Sequence, residues 1–178
     1  RASFRELEPE VEGVSALQVP SAGILDPAEL VRSFAVAARA RGVEILLNAG
    51  VKHIRGTGIE TERGPVRARF VVNAAGLFAG SFANVPVYPC RGEYAEVIPS
   101  RRELVRSLVY PAPHPGPGLG VHFTRTVNGA LLVGPNARYV ADPEDYEGDP
   151  TPVGTFWESA RRLVPSLRPG DRRPAYAG

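Results

Sequence analysis

Hydrophobic positions along the chain fall into short runs and alternations that change period several times, with turn residues between them. The first clear element starts at Asp26. "DPAELVRSFAVAARARG" offers Asp26 as N-cap, Pro27 at the first helical position, Glu29 to close a capping box and Gly42 as terminator, with Leu30, Phe34 and Ala37 on one face. Val43 to Leu47 follows as an unbroken apolar run, which predicts a buried strand after the helix, in an α/β layer covered on both sides. From Val51 to Val72 the pattern alternates and turns at "RGTG" and "ERGP", predicting a β-meander that closes with an apolar strand over Phe70 to Val72.

The second half reads as extended. "RGEYAEVI" and "RSLVYPAP" have strand character, and "VHFTRTVNGALLVG" predicts a hairpin whose Asn128-Gly129 pair suits a type I′ turn. A two-residue loop pairs Val127 with Ala130, Phe123 with Gly134 and His122 with Pro135; alternation then turns His122, Thr124 and Thr126 one way and Phe123 and Arg125 the other. Ala141 to Pro152 is acidic and aperiodic, as in a surface loop. Thr151 and Pro152 then open a helix with an apolar face of Phe156, Ala160, Leu163 and Val164 that ends at Pro165. The fold class expected is α/β in the broad α+β sense: a few helices with a mixed, largely antiparallel sheet.

Composition narrows this picture. With 178 residues, 43% of them hydrophobic, the chain can bury one sizeable core. The 21 basic residues are nearly balanced by 19 acidic ones, which argues against nucleic acid as a partner. A single cysteine, Cys90, precludes an intrachain disulfide, points to a reducing, cytoplasmic setting, and between Pro89 and Arg91 reads as a small apolar filler. No run reaches the roughly 20 apolar residues of a membrane span, although peripheral attachment stays open. His53, His114 and His122 lack metal-ligand spacing, so no metal is expected. "GPGLG", Gly116 to Gly120, opens a strand rather than a helix and is a turn rather than a phosphate loop.

"FVVNAAGLFAG", Phe70 to Gly80, is more informative. A strand that ends in Ala74-Ala75-Gly76 leaves no bulk at the turn, so its backbone can approach a planar or diphosphate ligand; a tight strand end packed under a helix is the other reading.

Taken in order, "ELEPEVEG", "VPSAGILDPAELVRSFA", "VVNAAGL", "PCRGEYAEV", "LVYPAPHPGPGLGVHFTRTVNGALLVGPNA" and "RRLVPSLRP…PAYAG" resemble the FAD-dependent oxidoreductases of the D-amino-acid oxidase superfamily, and within it the L-2-hydroxyglutarate oxidases and dehydrogenases. The resemblance implies three regions: FAD-domain elements over residues 1–84, a substrate-binding sheet over 85–150, and a helix with a return strand over 151–178. It implies a non-covalent FAD contacted by Val51, Ala74, Ala75, Gly76, Gly92 and Gly134, and oxidation of a small 2-hydroxy acid by hydride transfer to FAD. Oxygen, a quinone or a carrier protein would be the electron acceptor. His122 is the candidate base, since an imidazole exchanges protons near neutrality. Arg91, Tyr94 and Asn136 are the candidate substrate contacts, the guanidinium for a carboxylate fork. The family's Gly-x-Gly-x-x-Gly cradle is expected upstream of Arg1, so the chain is expected to be a partial and inactive copy. A stand-alone module that lost redox chemistry and binds an organic acid or a protein is the alternative.

Overall fold

A computed structural model describes residues 3–113, 115, 118–147 and 153–178. His114, the start of the "GPGLG" turn and the cap residues Thr151 and Pro152 lie outside the described residues. The chain divides into two compact units, Pro27–Pro89 in one and Arg1–Asp26 with Cys90–Gly178 in the other.

In the first unit helix α2 (Pro27–Arg39) begins at the proline, which has no amide to leave unsatisfied, and leaves through Gly42 at φ +80°. Strands β1 (Val51–Arg55), β2 (Gly58–Thr61) and β3 (Gly64–Arg67) form the expected antiparallel meander, with Gly56 at φ +59° in its first turn. Two expectations fail. Val43 to Leu47 forms no strand and is exposed, and Phe70 to Val72 forms none either, with Phe70 and Val72 84% and 86% exposed. An apolar run becomes a strand only when a neighbour completes its ladder, and no described strand pairs with either segment. The layer covered on both sides is therefore absent among the described residues, and Leu30 and Phe34 of α2 are exposed.

The other unit starts with the single-turn helix α1 (Phe4–Leu7), capped by the Ser3 hydroxyl, and is tied on by Glu12 N–H donating to the Leu163 carbonyl at 2.7 Å. Its main sheet has the order β6-β7-β5-β9, all antiparallel: β6 (His122–Arg125), β7 (Leu131–Gly134), β5 (Glu93–Val97) and β9 (Arg172–Ala177). The "RGEYAEVI" run breaks at Gly92, and the preceding β4 (Cys90–Arg91) pairs instead with β8 (Arg138–Tyr139). One sheet face buries Phe123, Leu131, Val133, Ala95 and Val97 against Phe156, Trp157 and Ala160 of α3 (Val153–Leu163), whose apolar face is the one expected. Of "RSLVYPAP" only Val109 joins the sheet, through one bridge to Phe123.

The hairpin forms in a different register. His122 pairs with Gly134, Phe123 with Val133 and Arg125 with Leu131, so the loop is Val127-Asn128-Gly129 and closes on Thr126 and Ala130. Gly129 alone takes positive φ, at +82°, and the Thr126 hydroxyl accepts from the Ala130 amide at 3.0 Å. That is a three-residue loop with glycine in the left-handed position, which "VNG" suits as well as the two-residue turn.

The core assignment gives a contrast to measure. Phe123→Ala should lower the unfolding free energy of its unit by about 3–5 kcal/mol, whereas Phe70→Ala at an exposed site should change it by less than about 0.5 kcal/mol. Urea titration of both variants checks this.

Candidate active site

The hairpin register aligns one cross-strand row. The Val109–Phe123 bridge, in which each backbone N–H donates to the other residue's carbonyl at 3.1 and 2.9 Å, sets Tyr110 opposite His122, and their rings stack at 4.3 Å and 20°. His122 pairs with Gly134. The β5–β7 register then puts Tyr94 beside Gly134, and Tyr94 stacks on Tyr176 of β9 at 4.9 Å. The row thus reads Tyr110, His122, Gly134, Tyr94, Tyr176. Because paired residues share a face and Phe123, Val133 and Ala95 face the core, the row lies on the opposite face. The last strand agrees: Arg172 lies over the Trp157 ring of α3, while Arg173 forks onto Glu96 on the other side at 2.7 and 3.1 Å. Between imidazole and phenol, two strands or about 9–10 Å apart, runs backbone without a side chain.

His122 is buried, with Nδ1 2.8 Å from the Gly120 carbonyl. A carbonyl can only accept, so Nδ1 carries the proton, and Nε2 of the neutral ring is left as the acceptor. Burial, and then the charges of Tyr176 and Tyr110, push the Tyr94 phenol above its ordinary value. It remains a hydrogen-bond donor throughout the neutral range.

Arg91 and Asn136 belong to a different cluster, joined through Glu93. The Arg91 guanidinium is buried and donates to Glu93 at 2.9 Å and to Asp145 at 2.6 Å. Asn136 Nδ2 donates to the other Glu93 oxygen at 2.6 Å, and Asn136 Oδ1 accepts from the Glu93 amide at 2.8 Å. Glu93 alternates with Tyr94 and shares its face with Ala95, so this cluster does not line the row. The Arg91 fork that was expected to await a ligand is filled by the chain's own carboxylates.

Packing within the chain accounts for two of the candidate cofactor glycines. A Cβ on Gly92 would come 2.8 Å from Pro135 Cβ, and one on Gly134, at φ +138°, 2.8 Å from the Glu93 carbonyl. In the unit of residues 27–89, Asn73 Oδ1 accepts from the Ala75 amide at 3.3 Å and its Nδ2 donates to the Ala79 carbonyl at 2.9 Å. Gly76 follows at φ +57° with nothing within 4 Å of where a Cβ would stand, and Ala74 is exposed. This turn is open, not packed under a helix. Val51 heads β1 in the same unit.

The family model for FAD dependent oxidoreductases, DAO, matches residues 1–178. The chain belongs to the FAD dependent oxidoreductase family. It is 35% identical over 156 residues to an L-2-hydroxyglutarate dehydrogenase of Escherichia coli, covering 80% of this chain and 37% of that protein. To the mitochondrial L-2-hydroxyglutarate dehydrogenase of Caenorhabditis elegans it is 34% identical over 162 residues, covering 82% and 37%. The chain therefore spans little more than a third of these relatives. Its fold is similar to glycine oxidase from Bacillus cereus (TM-score 0.76, 23% identity, 98% of this chain and 50% of that one). L-proline dehydrogenase from P. horikoshii is similar to the same degree (TM-score 0.77, 20% identity, 98% and 50%).

In this FAD dependent oxidoreductase chain several other residues find clear places. Cys90 is exposed on β4 rather than filling a core. Arg125 supports the hairpin, donating to the Arg102 carbonyl at 2.8 Å and pairing with Glu103. His53 sits exposed on β1. Among the described residues no group of three or more His, Cys, Asp or Glu side chains could hold a metal, and no helix is long and apolar enough to cross a membrane. Sequence reasoning missed Tyr110, Tyr176, Glu93 and Asp145. For Glu93 the signal was available, since i, i+2 alternation sets it beside Arg91; Asp145 lies 54 residues from its partner and gave none.

Two measurements follow from these environments. Glu93→Ala removes the carboxylate that joins Arg91 to Asn136 and should cost about 3–5 kcal/mol of stability by urea unfolding, the range for breaking a buried pair. For Tyr94 the folded state holds the phenolic proton more tightly than the unfolded chain. Its contribution is complete below the ordinary phenol value near 10 and is lost as pH rises through the higher folded value. Absorbance titration near 295 nm should show a late-ionising tyrosine that disappears in Tyr94→Phe.

Proposed function

We propose that this chain contributes the substrate side of a flavin-dependent 2-hydroxy acid oxidoreductase, with L-2-hydroxyglutarate as the substrate. The similarity to L-2-hydroxyglutarate dehydrogenases supports the substrate class. The observation that carries the chemistry is His122, buried, with Nδ1 committed to the Gly120 carbonyl and Nε2 left to accept.

In this reading a 2-hydroxy acid lies over the bare backbone at Gly134. Its hydroxyl proton passes to His122 Nε2, and the Tyr94 phenol donates to an oxygen of the acid across the row. Arg91 and Asn136 act one step back, bracing the start of β5 so that Tyr94 and Gly134 keep their register. The residues fit the family's cofactor at one place: the Ala74-Ala75-Gly76 turn is small, open and glycine-bearing, so a flat ligand can approach its backbone, with Val51 on the same unit. Bound FAD would supply the two-electron acceptor for the oxidation. Residues 1–84 would then contribute FAD-domain elements, while 85–150 and 151–178 carry the substrate sheet and its return strand.

The test is turnover of L-2-hydroxyglutarate by a flavin-loaded protein that carries this chain together with a Gly-x-Gly-x-x-Gly cradle, followed by reduction of a dye acceptor. His122→Gln should lower kcat by about 10²–10⁴-fold, the usual contribution of a positioned base. Full activity in that variant would remove His122 from the reaction, and no turnover of any 2-hydroxy acid by the unmodified protein would overturn the function.

A further inference from the structure

The row contains an aromatic residue that no role above uses. Tyr110 enters the sheet through a single backbone bridge at Val109, outside any strand, yet its ring lies 4.3 Å from the imidazole of His122 at 20°, close to parallel. Exposure divides unevenly between the two: Tyr110 is 47% exposed and His122 only 7%. The outer ring therefore shields the inner one. An imidazole can rotate about two side-chain torsions, and its hydrogen bond from Nδ1 to the Gly120 carbonyl restrains only one edge. A parallel ring on its face removes the remaining freedom, because any other plane would give up the stacking contact. The opposite side of His122 is bounded by Gly134, which has no side chain to hold it.

We propose that Tyr110 is a positioning residue for His122: its ring fixes the imidazole plane so that Nε2 points over Gly134, where the substrate hydroxyl would lie. The inference rests on the reading of His122 as base, and its test separates the two. The ring does the positioning, so Tyr110→Phe should preserve it and Tyr110→Leu should abolish it.

Two readouts decide. In proton NMR of the 178-residue chain, the His122 ring protons, identified by their loss in His122→Gln, should be shifted upfield by the stacked ring. They should stay there in Tyr110→Phe and move towards the position of exposed His53 in Tyr110→Leu. In the flavin-loaded protein, Tyr110→Leu should lower kcat about tenfold to a hundredfold, the scale for a displaced catalytic group, with KM little changed, while Tyr110→Phe stays within about twofold. Should Tyr110→Leu unfold the chain, Tyr110→Val, which retains strand preference, decides on the same readouts. Unmoved His122 resonances in a folded variant, or unchanged kcat, would overturn the role of Tyr110. If instead His122→Gln is fully active while the resonances move as described, the stack stands and the base assignment fails.

Discussion

The pairing of His122 with Gly134 is the constraint on which the rest of the site depends. It fixes the hairpin so that a residue without a side chain falls between an imidazole on one strand and a phenol two strands away. A shift by one residue would turn His122 against Pro135 and carry Gly134 to the core face with Phe123. Three local features hold the register. Gly129 supplies the left-handed residue of a three-residue loop, Phe123 and Val133 are locked into the core, and Gly134 at φ +138° fits against the Glu93 carbonyl with no room for a Cβ.

The two faces of the sheet divide the labour. On one face an apolar layer against α3 supplies stability. On the other, Tyr110, His122, Tyr94 and Tyr176 stand in line, and stability is spent on holding polar rings in fixed planes. At the start of β5 the Arg91–Glu93–Asn136 cluster joins the two tasks. It buries charge at a cost that the two ion pairs of Arg91 and the Asn136 hydrogen bond offset while Arg91 Nε is left without a partner, and it anchors the strand that presents Tyr94.

Local signals in the sequence were enough for α2, the meander, the existence of the hairpin and the apolar face of α3, because caps, turn glycines and periodicity act within a few residues. Non-local pairing was not legible. Val43 to Leu47 and Phe70 to Val72 look like strands by composition, yet a strand needs a neighbour that its own residues do not specify. The hairpin register slipped by one because Asn128-Gly129 serves two loop lengths. His122 and Tyr94 were visible as candidates, but their shared row follows from pairing segments nearly thirty residues apart. Arg91 was identified as a carboxylate binder and does bind carboxylates; they belong to Glu93 and Asp145 of the same chain.

The central claim is that a 2-hydroxy acid is handled over Gly134, between His122 and Tyr94. A crystal structure of the flavin-loaded protein with 2-oxoglutarate bound tests it most directly. The account predicts the C2 oxygen within hydrogen-bonding distance of His122 Nε2, with the acid lying across the Gly134 backbone. A ligand seated against Arg91 in place of Asp145, with nothing near His122, would contradict it.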